Sequence, residues 1–518
     1  MRGERVAVIG AGMGGLAAAL TLAARGHAVT VLEKADAPGG KMRAVTVGGR
    51  ILDGGPTVLT MRWVLDELFA EAGFACDEHL RLDPLRVLAR HIWDGDGALF
   101  DLSADEDETA EAIAHFAGAG EARGFRAFAA RARAMYETLD RTFLRAARPN
   151  PLTLVGRTGL SGLSRLWGVS PFAVLWDELS VHFRDPRLRQ LFGRYATYCG
   201  ANPFTAPATL MLIAHVEQRG VWAVEGGMQA LAATLAGLAE LAGAKIHYGA
   251  EVTEILVDGG RAAGVRLAGG ECVEADAVVA NADVAALSAG LFGEAARRAV
   301  PDQRRVPRSL SAVTWVGLAR AEGFALTRHN VFFSRNYRDE FGRIACGRLP
   351  AQPTVYVCAQ DRGDEGIGPG GPERLLVLVN APPGHDRAEP SLQEIEQCEQ
   401  ATFALLARCG LRLTWIAVQR TGPADWARMF PATGGALYGR DLAGWRASFQ
   451  RPGAKTRLPG LYLAGGSVHP GPGVPMALMS GRLAASALMA DRASTRRFLP
   501  AAMPGGTSMR SATTEPTA

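Results

Sequence analysis

Six residues near the amino terminus, Gly10-Ala11-Gly12-Met13-Gly14-Gly15, have the types and spacing needed to hold a diphosphate. They follow the apolar run Val6 to Ile9 and open a segment with helical spacing, Leu16 to Ala24. The reading is a strand, a tight turn and a helix. Gly10 permits the turn, Gly12 lets the backbone approach the diphosphate, and Gly15 lets the helix pack on the strand. The helix then aims its free N–H groups at the anion. Glu33 closes the next strand, Val29 to Leu32; its carboxylate suits a ribose diol and repels a 2′-phosphate, which disfavours NADP. FAD or NAD remains.

A second constellation stands near the carboxyl end, in Leu461-Tyr462-Leu463-Ala464-Gly465-Gly466-Ser467-Val468-His469-Pro470-Gly471-Pro472-Gly473-Val474-Pro475-Met476. A strand ends in small residues, a Gly/Pro loop keeps the backbone bare and stiff, and Pro475 suits the first turn of a helix. Such a helix aims its amino end at a negative group. In a flavoprotein that group is the pyrimidine side of the isoalloxazine, which gains electron density on reduction. Gly465, Gly466, Gly473, Val474, Pro475 and Met476 are the candidate contacts. His469 is the ionisable group of this loop, and two roles are open to it: taking a proton, or hydrogen-bonding the loop backbone.

Larger elements must position these residues. At 518 residues the chain exceeds what one core supports, so two intertwined domains are expected. A hydrophobic fraction of 48% and a charged fraction of 21% fit a packed protein and exclude a mainly disordered one. After about residue 60 the pattern turns Ala-rich and helical, with helices expected at Asp105 to Ala117 and Phe125 to Leu144. Lys245 to Val279 is β-rich, with turns at Gly259-Gly260 and Gly269-Gly270. Further strands are expected at Ser311 to Leu318, Thr354 to Ala359, Leu375 to Asn380 and Leu461 to Ala464, and a final helix at Met476 to Met489. The fold class is therefore α/β. A Rossmann-like dinucleotide domain is assembled from residues 1–60, 220–300 and 455–495, and a mixed α+β substrate domain from 61–219 and 301–454 is inserted into it. Residues 501–518, rich in Ser, Thr, Gly and Pro, read as a disordered tail.

A net charge of +4 without a basic tract argues against a nucleic-acid partner. The seven cysteines are scattered singly, which gives no metal-ligand spacing and suggests reduced thiols. The sequence from Met1 leads directly into the first strand, leaving no room for a secretion signal, and no apolar run reaches the roughly 18 residues that span a bilayer. The expectation is a cytoplasmic protein that, if it meets a membrane, lies on it.

Paired glycines just after the acid, in Glu33-Lys34-Ala35-Asp36-Ala37-Pro38-Gly39-Gly40-Lys41, resemble the extended motif of amine oxidase and carotenoid desaturase flavoproteins, which favours FAD. The carboxyl-terminal run resembles that of bacterial phytoene-desaturase-type enzymes. So do Asp53-Gly54-Gly55-Pro56, Gly226-Gly227-Met228 and Ala275-Asp276-Ala277-Val278-Val279-Ala280-Asn281-Ala282, and the resemblance covers most of the chain. Within that group, His329-Asn330-Val331-Phe332-Phe333-Ser334, the run from Pro353 to Asp361 and Thr433-Gly434-Gly435-Ala436-Leu437-Tyr438-Gly439 look like the 1-hydroxycarotenoid 3,4-desaturases. Gly466-Ser467-Val468, where phytoene desaturases carry Ala/Gly-x-Thr, points the same way. Many related flavoproteins have an acid where Gly466 stands, so backbone N–H groups must serve here.

The resemblance implies FAD, with Gly10, Gly12, Gly14, Gly15 and Glu33 on its adenosine and diphosphate, Gly39, Gly40 and Lys41 nearby, and Val252 meeting the adenine through its backbone. Alternatively, Val252 is only a buried strand residue. The implied reaction sends a hydride to flavin N5 and removes a proton from the neighbouring carbon of an acyclic 1-hydroxy carotenoid. This belongs to spheroidene- or spirilloxanthin-type synthesis, with quinone or oxygen left open as electron acceptor. The nearest alternatives are a phytoene desaturase or carotene isomerase. An amine oxidase shares the flavin fold, but the chain shows no aromatic cage motif; a flavin-binding carotenoid carrier would hold both molecules without turnover. An insoluble polyene also implies an apolar tunnel opening onto the inner or photosynthetic membrane. Arg131, Arg133, Arg141, Arg145, Arg148, Arg157 and Arg165, interleaved with apolar residues from Tyr136 to Trp167, suit either a headgroup layer or a solvated helix face packed on the core.

Overall fold

The computed structural model describes residues 3–95, 97–147, 172–363, 366, 368–384, 390–444 and 446–497, the last six of these by backbone alone. The expected tail at 501–518 lies outside the described residues.

Val6, Ala7, Val8 and Ile9 are apolar without alternation, the pattern of a strand covered on both faces, and all four are buried. They belong to β1 (Arg5–Ile9), which joins β2 (Ala28–Leu32), β3 (Lys245–His247), β4 (Ala277–Ala280) and β5 (Leu461–Leu463) in one parallel sheet. The order is β5-β4-β1-β2-β3, and Val8 stands opposite Val31 on one side and Val279 on the other. Three helices cover one face: α1 (Met13–Ala24), α2 (Met228–Leu241) and α3 (Val474–Arg497). α1 lies between the sheet and α3, which is why Met13 through Ala23 are all buried and why the helix has no polar face. On the other face, a three-stranded antiparallel meander spans Val252–Asp258, Arg261–Leu267 and Cys272–Glu274. Gly259 and Gly260, both with positive φ, form its two-residue hairpin.

The second sheet has seven strands: Arg412–Thr421, Ser311–Glu322, Glu373–Ala381, Val355–Ala359, His329–Phe333, Val87–Trp93 and Leu99–Ser103, in that order. Pairing is antiparallel except between His329–Phe333 and Val87–Trp93. Helix Leu392–Arg408 covers one face through Cys398, Leu405 and Leu406. The opposite face meets the hairpin Ala44–Val47/Arg50–Asp53 and the helical layer. In that layer Phe125, Phe128, Phe183 and Phe192 are fully buried, with the Phe128 and Phe192 rings 4.7 Å apart.

Two local expectations change. The helix expected at Phe125 to Leu144 begins at Ala119, is α-helical to Leu139, and continues as a π turn over Asp140–Leu144. Val87–Trp93 and Leu99–Ser103 are strands in a region that reads as helical, because they add to a sheet whose other strands lie more than two hundred residues away.

Candidate active site

At the carboxyl end of β1 the chain brings four glycines around one side chain. Ideal Cβ atoms on Gly12, Gly14 and Gly15 would lie 2.7, 2.8 and 3.1 Å from Asn281, and one on Gly465 would lie 2.8 Å from it. Gly15 would also collide with the Gly10 carbonyl at 2.1 Å. Only bare backbone fits, and the backbone at the start of α1 is left open to a ligand. Gly12 caps that helix in an extended conformation without a side-chain hydrogen bond, as an anion site requires. Glu33 is buried at the end of β2, where it accepts N–H groups from Ala11 at 2.6 Å and Ala35 at 2.9 Å. Each carboxylate oxygen retains another lone pair for a ribose hydroxyl.

Gly39 donates to the Ala11 carbonyl at 2.9 Å, and a Cβ on Gly40 would lie 3.3 Å from Gly12. The paired glycines therefore lie against the nucleotide loop. Ala250 donates to the Glu33 carbonyl at 2.8 Å, which brings the strand starting at Val252 beside the same acid, with the Val252 side chain buried. Asp53 accepts N–H groups from Met228 at 2.7 Å and Gln229 at 3.1 Å, and so caps α2; the Gln360 amide holds the Asp53 backbone in both directions at 3.0 Å. Three runs, each more than a hundred residues from the next, thus form one support.

At the opposite end, Gly465 donates to Ser480 Oγ at 2.9 Å, and the Gly473 carbonyl accepts from Ala477 at 2.9 Å. Gly473 therefore stands before α3, with Val474, Pro475 and Met476 in its first turn. The Arg451 guanidinium donates to the carbonyls of Gly466 and Tyr438, both at 3.1 Å, which ties this loop to the run at Thr433–Gly439. Lys41 Nζ donates to the Leu437 carbonyl at 2.6 Å, and burial lowers its pKa. His469 Nε2 lies 3.0 Å from the Phe143 carbonyl, which can only accept, so this nitrogen carries the proton. Burial pushes the imidazole down to about 4. The ring also meets Phe143 edge-on at 5.0 Å, so His469 holds the π turn against the loop.

Lys41, Arg194, Tyr198, Cys199, Tyr356 and Tyr438 lie deep within the protein yet retain accessible surface, so they line an interior chamber. Arg194 stands over the rings of Tyr198 and Tyr356, at 5.4 and 5.3 Å. Glu217 accepts the hydroxyl of Tyr195 at 2.6 Å and that of Tyr198. The Tyr356 hydroxyl meets Thr57 Oγ1 and His329 Nδ1, each at 2.7 Å. Sequence reasoning assigned no role to Asn281, Arg451, Arg194 or Glu217. Only Asn281 had a signal, its place in the run Ala275 to Ala282.

Among the described residues of the basic stretch, Arg131 pairs with Glu178 at 2.8 Å, Arg133 with Glu106 at 2.6 Å, and Arg145 with Glu67 at 2.9 Å. Tyr136, Leu139, Phe143 and Leu144 are buried. This half packs on the core and does not present its apolar residues to a headgroup layer. Arg148, Arg157 and Arg165 lie outside the described residues.

The pattern of the family described as flavin containing amine oxidoreductase matches residues 13–489. Hydroxyneurosporene desaturase of Rubrivivax gelatinosus is 55% identical over 517 residues, 99% of this chain and 98% of its own. The chain belongs to the carotenoid desaturase branch of the flavin-containing amine oxidoreductases. A more distant desaturase relative, the zeta-carotene-forming phytoene desaturase of Myxococcus xanthus, is 34% identical, with 94% of each chain covered. The crystal structure of an oxidoreductase from Methanosarcina mazei shares the fold, with a TM-score of 0.58 at 19% identity, covering 94% of this chain and all of that one (100%). As in the family at large, FAD is the cofactor, and a cradle that no Cβ can enter fits its diphosphate. Among the described residues no cluster suits a metal ion, and no helix is long and apolar enough to cross a membrane.

Proposed function

We propose that the protein is an FAD-dependent desaturase that introduces the C-3,4 double bond into 1-hydroxy acyclic carotenoids, in spheroidene- or spirilloxanthin-type biosynthesis. The observation that carries this reading is the 55% identity, over nearly the whole of both chains, to a hydroxyneurosporene desaturase. The discontinuous dinucleotide domain (1–60, 220–300 and 455–495) would hold the cofactor, and the rest of the described chain the polyene.

The substrate loses one hydrogen as hydride and the hydrogen on the neighbouring carbon as a proton, and the two electrons and two protons are finally taken up by the quinone or oxygen that serves as acceptor. When bound, the flavin supplies the acceptor for the hydride. The glycines of the first loop and Glu33 would hold its nucleotide end. Gly466 and the first turn of α3, steadied by Arg451, would present N–H groups and a helix dipole to the ring's polar edge, while the Gly465 N–H is held by Ser480. The chamber walls exclude water and align the polyene. His469, whose Nε2–H is held by the Phe143 carbonyl, is assigned to positioning the loop. Electrons leave to a quinone or oxygen. The polyene enters from the inner or photosynthetic membrane, which the protein contacts peripherally.

The test is turnover of FAD-loaded protein in liposomes with 1-hydroxyneurosporene and, separately, phytoene. A red-shifted product from the hydroxylated polyene alone is expected. Turnover of phytoene instead would replace the substrate, and binding without anaerobic flavin bleaching would indicate a carrier.

A further inference from the structure

Directly behind the chamber wall at Tyr356 stands a buried polar group that the protein leaves unsatisfied. His329 is 2% exposed, and its Nε2 has no hydrogen-bond partner among the described residues. Its Nδ1 is held by Tyr356, which is held in turn by Thr57, so the ring orientation is fixed from behind. Burial, with Arg328 and Arg194 nearby, pushes the imidazole down to about 3, so it is neutral. Whichever tautomer is present, Nε2 either donates or accepts one hydrogen bond, and a hydroxyl matches both. A wholly hydrocarbon ligand matches neither.

The packing around it is aromatic. On the same face of the seven-stranded sheet, Phe333 stacks on His91 and Trp93, with ring centroids 6.0 and 5.2 Å apart. The position relative to the cofactor also fits. Thr57 follows Gly55, whose Cβ would lie 2.0 Å from the carbonyl of Lys41, next to the Gly39-Gly40 pair on the nucleotide loop. Across the chamber, Gly200 ends the turn that begins at Arg194, and its Cβ would lie 2.2 Å from the ring of Tyr438, whose carbonyl shares Arg451 with Gly466. The polar cluster is thus built onto the supports of the cofactor.

We propose that His329, oriented by Tyr356 and Thr57 and flanked by Arg194, receives the C-1 hydroxyl of the substrate and thereby sets which end of the polyene, and which bond, meets the flavin. The inference rests on the 3,4-desaturase reading. C-1 is two bonds from C-3, so a group that binds its hydroxyl has to stand beside the reacting bond. Arg194, already over two rings and near Glu217, supplies a fixed positive field to the hydroxyl oxygen.

The experiment compares kcat/KM for 1-hydroxyneurosporene and neurosporene in liposomes, using wild type, His329→Phe and the milder Tyr356→Phe, each checked for FAD content and Tm. The expected result is a hydroxyl preference that falls about tenfold to hundredfold in His329→Phe, and less in Tyr356→Phe. The fall should come mainly through KM for the hydroxylated polyene. An unchanged ratio in a folded, FAD-loaded variant overturns the proposal, and so does an equal loss with both substrates, which marks a structural role. Should wild type turn over neither polyene, the 3,4-desaturase reading fails separately. Titration of the bound flavin's absorption by both polyenes then still decides the pocket: a hydroxyl preference lost in His329→Phe supports it, and no preference in wild type removes it.

Discussion

At the nucleotide end the protein offers backbone, and in the chamber it offers side chains. The cradle is one loop, Gly10 to Gly15, closed by Asn281 and Gly465, and its shape depends on atoms being absent. The chamber and the shell directly behind it collect Thr57, Arg194, Glu217, His329 and Tyr356 from five separate segments, and their arrangement depends on sheet register and on hydrogen bonds between side chains. A recognition surface made of backbone tolerates almost no added atom but is indifferent to what its neighbours bind. One made of side chains can exchange a group and change its preference. This division lets a family keep one cofactor while its substrates vary.

The sharpest way to break the comparison is to add atoms to the cradle. Gly12→Val places carbon where the nearest atom of Asn281 is already 2.7 Å from an ideal Cβ, and it blocks the approach of the diphosphate. Complete loss of bound FAD is expected, read as loss of the flavin spectrum in purified protein; retained yellow cofactor would remove the site assignment. Glu33→Ala should come next. It deletes the acceptor of two backbone N–H groups and of the ribose diol, and hydrogen bonds to a charged acceptor contribute about 1.5–3 kcal/mol each. FAD affinity should fall by roughly a hundredfold, measured by titration of apoprotein.

The same contrast explains what was legible in the sequence. The cradle is local: six consecutive residues, a strand before, a helix after and an acid beyond, all within the reach of periodicity. The loop at Gly465 to Met476 was legible for the same reason, since Gly/Pro punctuation and a following helix are features of one segment. Arg194 and Glu217 were not legible, because nothing in their own neighbourhoods marks them; they become a cluster only when the helical layer packs on the seven-stranded sheet. The strand Val87–Trp93 was missed on similar grounds, because its parallel partner is His329–Phe333. The basic stretch shows a different limit. Arginines interleaved with apolar residues suit a headgroup layer and a solvated helix face alike, and only partners distant in sequence, Glu67, Glu106 and Glu178, which pair with three of them, show the described half packed on the core.

Acid should act on the side-chain-built parts of the fold through their buried histidines. His91 and His329 are pushed down to about 3, and His215 and His469 to about 4, in each case chiefly by burial. A depressed histidine binds its proton in the unfolded chain at about 6.5 but not in the native state, so the unfolded state takes up more protons below that pH. The stabilisation is complete above about 6.5 and is lost as pH falls from there through about 4 for His215 and His469 and through about 3 for His91 and His329. Chemical denaturation between pH 7 and 4.5 should show unfolding free energy falling with pH, and less steeply in His469→Gln. An equal slope in that variant would mean that His469 is not buried neutral.

The smallest expected effect lies where the two regions share a support. Asp53 caps α2 with its carboxylate while its backbone is held by Gln360 of the seven-stranded sheet. Asp53→Asn keeps an acceptor for one N–H but loses the charge at the helix amino end, which costs about 0.3–1 kcal/mol. Asp53→Ala removes both bonds and should cost about 1–2 kcal/mol. Because the strand bearing Asp53 leads through Gly55 to Thr57, Asp53→Ala should also weaken discrimination between hydroxylated and plain polyenes, while FAD affinity changes little. If FAD affinity falls instead and the polyene preference stands, the Asp53 support belongs to the cradle, and the two regions are less separable than their construction suggests.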